Sequence, residues 1–356
     1  MELPPFELER WLDEYEPEAD LMLAESGVRS LPVDRFDLDV GELGYVIPTD
    51  GDPEFRADIA ERYGRDAEEV VLTCGTQEAD YLTFMALLDE GDHSVVISPT
   101  YQSLASVPDA VGDVTEVRTE PPEWELSVDA VADAMRPETE LVVLTNPSNP
   151  TGKYLGPETM AALYDLVAEH DAYLLVDEVY RMLAEEPHAP AAALGPRAIS
   201  TAGVSKSYGL AGARVGWVVA DEEIADEVRK WKDYTTISPP LVGQHIARQA
   251  LGEQEADILE ANRSHAQANK ERVAEFVEQY DLDWFEPTGV NAFPTIPAGF
   301  ENGKEFCRTL FKEESVVLAP GEVFGYPDRF RIGFGLHTEE LESGLERIGR
   351  HIENNR

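Results

Sequence analysis

The segment Ser200-Thr-Ala-Gly-Val-Ser-Lys206-Ser-Tyr-Gly-Leu-Ala-Gly-Ala-Arg214-Val-Gly-Trp217 sets one lysine among small residues, with an arginine one short loop further on. A solvated lysine normally sits on a helix face among other charges, whereas Lys206 lies in a run of Gly, Ala, Ser and Val that lets other groups approach closely. A desolvated ammonium beside a second cation gives up its proton more readily, which frees the amine to attack a carbonyl and form a Schiff base. Arg214 has the fork geometry to hold a phosphate by paired hydrogen bonds. Taken alone, the segment reads equally as a loop lysine beside a tight glycine contact, so its surroundings decide.

Apolar segments at 198–202 and 215–220 flank the lysine. Upstream, short apolar runs at 70–73, 94–98, 114–117, 140–145 and 173–177 alternate with helical patterns at 53–63, 77–88, from about 102, at 127–135 and at 157–169. Strands nearly continuous in Val, Ile and Leu and separated by helices predict the α/β class, with a mainly parallel central sheet sandwiched by helices. This large domain is placed at 45–240. A long helical pattern at 241–280, interrupted weakly near Gly252, leads to strands near 292–296, 315–318 and 330–334 and helices near 303–312 and 338–352. Together, 241–356 read as a connecting helix and a smaller α+β domain. Residues 1–44 hold an acidic amphipathic helix at 6–15 and an irregular arm, expected to pack with the small domain.

The chain has 356 residues and a formal net charge of -43, from 71 Asp and Glu against 28 Lys and Arg. Acid is spread along the whole chain, and self-repulsion on this scale calls for screening by salt, which points to a halophilic protein. The same charge argues against nucleic acid and anionic membranes as partners. Hydrophobic content of 43% supports a proper core and argues against disorder. Two distant cysteines, Cys74 and Cys307, imply no disulfide framework and no thiolate metal site. The N-terminus lacks a leader pattern and no apolar run reaches spanning length, so a soluble, cytoplasmic protein is expected.

In a parallel sheet, ligands gather at the carboxyl ends of the strands. Gly75-Thr76-Gln77 opens a helix there, and its N–H groups and hydroxyl suit a phosphate, or simply start a helix. Tyr101 offers an aromatic face, for a ligand or for packing. Asn146-Pro-Ser-Asn149-Pro-Thr-Gly152 is a rigid turn that aims the Asn149 amide into the site. Asp177 ends a buried strand and needs a partner; it is either an N-cap or the counter-ion of a protonated ring nitrogen, with Tyr180 within reach of a ring oxygen.

In chain order, Tyr45, Gly75-Thr76, Tyr101, Asn149-Pro-Thr-Gly152, Asp177-x-x-Tyr180, Lys206, Arg214 and Arg331 resemble the fold type I pyridoxal-phosphate enzymes of the class I/II aminotransferase family. The resemblance covers about 45–335. It implies that Lys206 carries the internal aldimine, that Asp177 pairs with the pyridine nitrogen, and that Asn149 and Tyr180 contact the ring oxygen. Tyr101 then stacks on the ring, and Thr76 and Arg214 hold the phosphate with help from Ser205, since Gly203 stands where the family often has a hydroxyl. Arg331 clamps the substrate α-carboxylate, near Asn149 and Tyr101. Tyr45 reaches the phosphate of a neighbouring subunit, so a homodimer with shared sites is expected. The implied reaction moves an amino group between an amino acid and a 2-oxo acid; a lyase or cyclase, such as a carbon–sulfur lyase, is the alternative.

Overall fold

The computed structural model describes residues 2–355. It opens on helix α1 (Glu7–Tyr15), which buries Leu8, Trp11 and Tyr15 at helical spacing, followed by strand β1 (Leu21–Met22). Helix α2 (Pro53–Tyr63) is started by the Asp52 carboxylate, which accepts from the Phe55 amide at 2.9 Å, and is stopped by a left-handed Gly64. The alternating region then runs β2 (Val70–Thr73), α3 (Thr76–Leu87), β3 (His93–Ser98), α4 (Ser103–Val111), β4 (Asp113–Arg118), α5 (Val128–Ala134), β5 (Thr139–Thr145), α6 (Pro157–Glu169), β6 (Tyr173–Asp177), β7 (Ala198–Gly203), β8 (Gly216–Val219) and α7 (Glu222–Lys232). The remainder is α8 (Leu241–Leu251), α9 (Glu255–Tyr280), β9 (Asn291–Ala292), α10 (Gly303–Glu314), β10 (Val316–Val317), β11 (Ala319–Pro320), β12 (Phe330–Gly333) and α11 (Thr338–Asn354).

Strands β2 to β8 form one sheet in the order β2-β8-β7-β6-β5-β3-β4. The four pairings from β4 to β7 are parallel, and β8 runs antiparallel to both its neighbours. Pleating sends alternate residues to opposite faces. Val96, Val143 and Leu175 pack with α3 and α7 on one side, whereas Val95, Val142 and Leu174 pack with α6 on the other. Both faces are therefore apolar, as the continuous Val, Ile and Leu runs require.

The arm closes the structure. Leu23 N donates to Val317 O at 2.9 Å, Gly333 N to Leu23 O at 2.7 Å, Val28 N to Lys206 O at 3.3 Å and Leu31 N to Gly209 O at 3.0 Å. Residues 23–31 thus stitch the C-terminal strands to the lysine segment. Helix α1 lies against the same C-terminal core, with Trp11 Nε1 donating to Leu318 O at 2.9 Å.

Four sequence expectations change. The pattern at 241–280 is two helices, because Gly252 leaves the helical region at φ -89°, ψ -128°. Helix α7, capped by Asp221 onto Ile224 N at 3.0 Å, was not anticipated; its buried side is only Ile224, Ala225, Val228 and Lys232 in a mostly charged stretch. The expected strand at 315–318 is split between β10, parallel to β1, and β11, antiparallel to β12, while the one at 292–296 shrinks to β9 and a bridge from Thr295 to Arg329. Among the described residues no helix is long and apolar enough to cross a membrane.

Candidate active site

The carboxyl ends of β2, β3, β5, β6 and β7 lie along one edge of the sheet, and antiparallel β8 begins at that edge, which brings in Arg214 just ahead of it. A cavity of about 260 Å³ opens there. Its lining includes Thr76, Gln77, Tyr101, Asn149, Asp177, Tyr180, Ser205, Lys206, Arg214 and Arg331, so residues from distant parts of the chain converge.

At one end Gly75 precedes α3 with φ 85°, a conformation that favours glycine. A Cβ at Gly75 would stand 2.5 Å from Arg214 Nη2, and one at Gly216 would stand 2.6 Å from Thr76 N. The two glycines let the guanidinium and the first amide of α3 face the same small space, an arrangement that favours an anion. Arg214 is steadied by bonds to Cys74 O at 3.1 Å and Ala211 O at 3.3 Å. Among the described residues Thr76 Oγ1 is buried without a hydrogen-bond partner. A Cβ at Gly203 would stand 2.7 Å from that hydroxyl, so the absence of a side chain at 203 makes room for Thr76. Gln77 lines the cavity, but its carboxamide oxygen accepts from Ser103 Oγ at 3.1 Å, leaving its side chain committed to the helix α4 neighbourhood.

At the floor, Asp177 is 7% exposed and one of its oxygens accepts from Val179 N at 3.1 Å. It is a strand-end carboxylate with a local turn bond rather than a helix N-cap. Burial pushes its pKa up to about 7, with neighbouring Glu178 adding and Lys206 opposing. Lys206 itself is half-buried, with the arm residue Gly27 packed over its side chain.

At the far end, Arg331 is 2% exposed, donates to Asn149 Oδ1 at 3.0 Å and to Ala24 O at 2.5 Å, and among the described residues keeps a buried Nε without a partner. Burial holds its guanidinium below the usual arginine range. Tyr101 sits beside Phe6 with ring centroids 4.9 Å apart and donates its hydroxyl to Glu9 at 2.7 Å. Burial, then this bond, push its pKa up.

Sequence reasoning missed Leu8, Glu9 and Leu12 of α1, and Ser26 of the arm, which cover the cavity. It also missed Asp80, buried one turn beyond Thr76, whose carboxylate accepts from Thr201 at 2.6 Å. A carboxylate on an apolar helix face was a legible signal for Asp80; nothing in the sequence ties α1 to the site. Tyr45 is 70% exposed and outside its own chain's cavity.

A model of the class I and II aminotransferases matches residues 33–348. The chain belongs to that family. It is similar to capreomycidine synthase of Streptomyces vinaceus, 34% identical over 99% of this chain and 96% of that protein. It is similar also to the aspartate/prephenate aminotransferase of Thermus thermophilus, 30% identical over 87% of this chain and 83% of that one. The crystal structure of a PLP-dependent aminotransferase from Streptococcus suis superposes with a TM-score of 0.94 at 28% identity, covering 100% of this chain and 99% of that one. This aminotransferase is accordingly an enzyme dependent on pyridoxal 5'-phosphate. Its cavity fits that group: a partnerless buried hydroxyl, an arginine and a helix N-terminus stand at one end, and a buried carboxylate and a lysine at the floor.

Proposed function

We propose that Lys206, Asp177, Asn149 and Tyr180 are the catalytic residues of an amino-acid transaminase. The observation that carries this is the convergence of Lys206, Asp177, Arg214 and Arg331 on one cavity. When bound, pyridoxal phosphate supplies an electron sink that acidifies the substrate Cα–H. In this reading Thr76, Ser205, Arg214 and the amides following Gly75 hold the phosphate, Tyr101 covers one ring face, and Asn149 and Tyr180 hold the ring oxygen. Asp177 keeps a proton on the ring nitrogen. Arg331 pairs with the substrate α-carboxylate, placing Cα within reach of Lys206, whose freed amine takes and returns the proton.

The test is an absorbance spectrum of the holoenzyme with a panel of amino acids. Conversion to the aminated cofactor without release of ammonia is expected; ammonia or 2-oxo acid release without that conversion would overturn transamination. The match to capreomycidine synthase, which extends through the arm over 99% of the chain, favours as second reading a lyase or cyclase built on the same residues.

The assembly completing this reading is a homodimer working in a salt-rich cytoplasm, with Tyr45 reaching the partner's phosphate site. Support comes from an exposed apolar surface: Leu43, Tyr45 and Ile47 are 83%, 70% and 73% exposed and Tyr234 is 90% exposed. The two segments adjoin, since Lys232 Nζ donates to Thr49 O at 2.9 Å and Asp52 N to Gln244 Oε1 at 2.9 Å. A large exposed apolar patch marks an interface. Each copy carries a formal charge of -43, and the Debye length falls from about 10 Å at 0.1 M salt to about 3 Å at 1 M. Dilution into low salt is therefore expected to split the dimer, with cofactor retention and activity falling in step. Sedimentation and activity over one salt series check this; a fully active monomer at any salt would refute the shared site.

A further inference from the structure

The cavity has more charge than the cofactor and an α-carboxylate use. Resting on the reading above, Asp177, Lys206 and Arg214 face the cofactor and Arg331 faces the α-carboxylate. Asp80 lies with the floor, bonded to Thr201, and burial first and then the nearby Asp177 carboxylate push its pKa up. The ionisable lining that remains comes from the N-terminal segment: Glu9 of α1 and Glu25 of the arm. Among the described residues the cavity lining contributes no further lysine or arginine to receive an anionic substrate side chain.

Glu9 is held rather than free. Its Oε1 accepts from Tyr101 at 2.7 Å, and its helix is fixed by the Trp11 bond to Leu318 O at 2.9 Å. Among the described residues its second oxygen has no hydrogen-bond partner. Leu8 and Leu12 flank it on the same cavity wall. An aliphatic wall ending in an oriented carboxylate suits an aliphatic stem ending in a cation. Arg331 is fixed independently of Glu9, by Asn149 Oδ1 at 3.0 Å and Ala24 O at 2.5 Å, and among the described residues its buried Nε has no partner.

We propose that Glu9 selects a substrate amino acid whose side chain ends in an amine or guanidinium. Glu25 adds to the negative potential at that end without a contact of its own, being exposed, and both carboxylates act electrostatically on Arg331. A carboxylate that only anchored α1 through Tyr101 would give the same fold, so the test separates charge from anchoring. Glu9→Gln keeps an oxygen that accepts from Tyr101 and removes the charge.

The probes are α-methylarginine, α-methylornithine and α-methylleucine, which lack the Cα proton and bind without turnover whichever reaction follows. Calorimetric titration of holoenzyme, wild type and Glu9→Gln, in the same high salt, reads their dissociation constants. Wild type is expected to bind the two cationic analogues about 10-fold or more tighter than the leucine analogue. Glu9→Gln is expected to weaken only the cationic pair, by roughly 10- to 100-fold, the range for a hydrogen bond to a charged group. Equal binding of all three by wild type, or an equal loss for all three in the variant, overturns the selection while leaving the amino-acid site standing. Failure of all three to bind overturns both, and is thereby distinguishable.

Discussion

Lys206→Ala is expected to give a folded protein with no measurable turnover and without the visible absorbance of a lysine-linked cofactor. The fold survives because the lysine contributes little to it: the side chain lines a cavity, and the bond from Val28 N to the Lys206 carbonyl belongs to the backbone. Gly27 packs with its would-be Cβ 3.5 Å from Lys206 Cδ, so truncation opens space under the arm, and the buried Asp177 that loses its neighbouring cation stays neutral more readily. The chemistry does not survive. Lys206 is assigned both the covalent hold on the cofactor and the proton moved at the substrate Cα, and proton transfer alone is worth about 10²–10⁴-fold. Melting curves, absorbance and turnover of the purified variant check the three statements separately. A coloured, active Lys206→Ala protein would remove the lysine from the mechanism, and an unfolded one would show that the arm needs its stem.

The large sheet was legible because its inner parallel strands β3, β5, β6 and β7 are buried on both faces, which forces runs such as Leu141-Val-Val-Leu144 and Leu174-Leu-Val176 that few other structures need. Site residues at strand ends were legible for a related reason. A strand that is apolar to its last residue and then turns to Asp177, or to a proline-fixed Asn149, leaves a polar group where burial demands a use for it. Gly203 was legible as a departure, and its meaning needed coordinates: the hydroxyl of Thr76 occupies the room that a side chain there would take.

The rest was hidden by distance and by charge. Glu9 looks like any acid on an amphipathic helix until Tyr101 is brought to 2.7 Å from it, across more than ninety residues of chain. Helix α7 escaped for the opposite reason, since a surface shaped by so much acid dilutes the apolar period to Ile224, Ala225 and Val228. The two-residue strands β1, β9, β10 and β11 carry too few residues to show a period of two, and they exist through pairing, β1 with β10 and both β9 and β11 with β12, rather than through local preference.

Asp177→Asn is expected to lower turnover by on the order of 10²–10⁴-fold while retaining cofactor, and to stabilise the cofactor-free protein at neutral pH. The two effects have one origin. In the free cavity the Asp177 carboxyl is buried among Asp80, Glu178 and Lys206, bonded among the described residues only to the Val179 amide, and burial raises its pKa from 3.8 to about 7. Between those values the folded state binds more protons than the unfolded chain, so the group's contribution is fully present below about pH 4 and is lost as pH rises through 7. Asparagine carries no such loss. The stability of the cofactor-free variant relative to wild type should therefore climb from pH 4 to 7 and level off above it, as chemical denaturation at several pH values would read. With a protonated ring nitrogen beside it the balance reverses, because an opposite charge favours the ionised carboxylate. The carboxylate then holds the proton that makes the ring an electron sink, and a neutral amide cannot. A variant that turns over near the wild-type rate would make Asp177 structural. A variant that is slow but shows no pH-dependent gain in the cofactor-free protein would keep the catalytic role and discard the buried, protonated resting state.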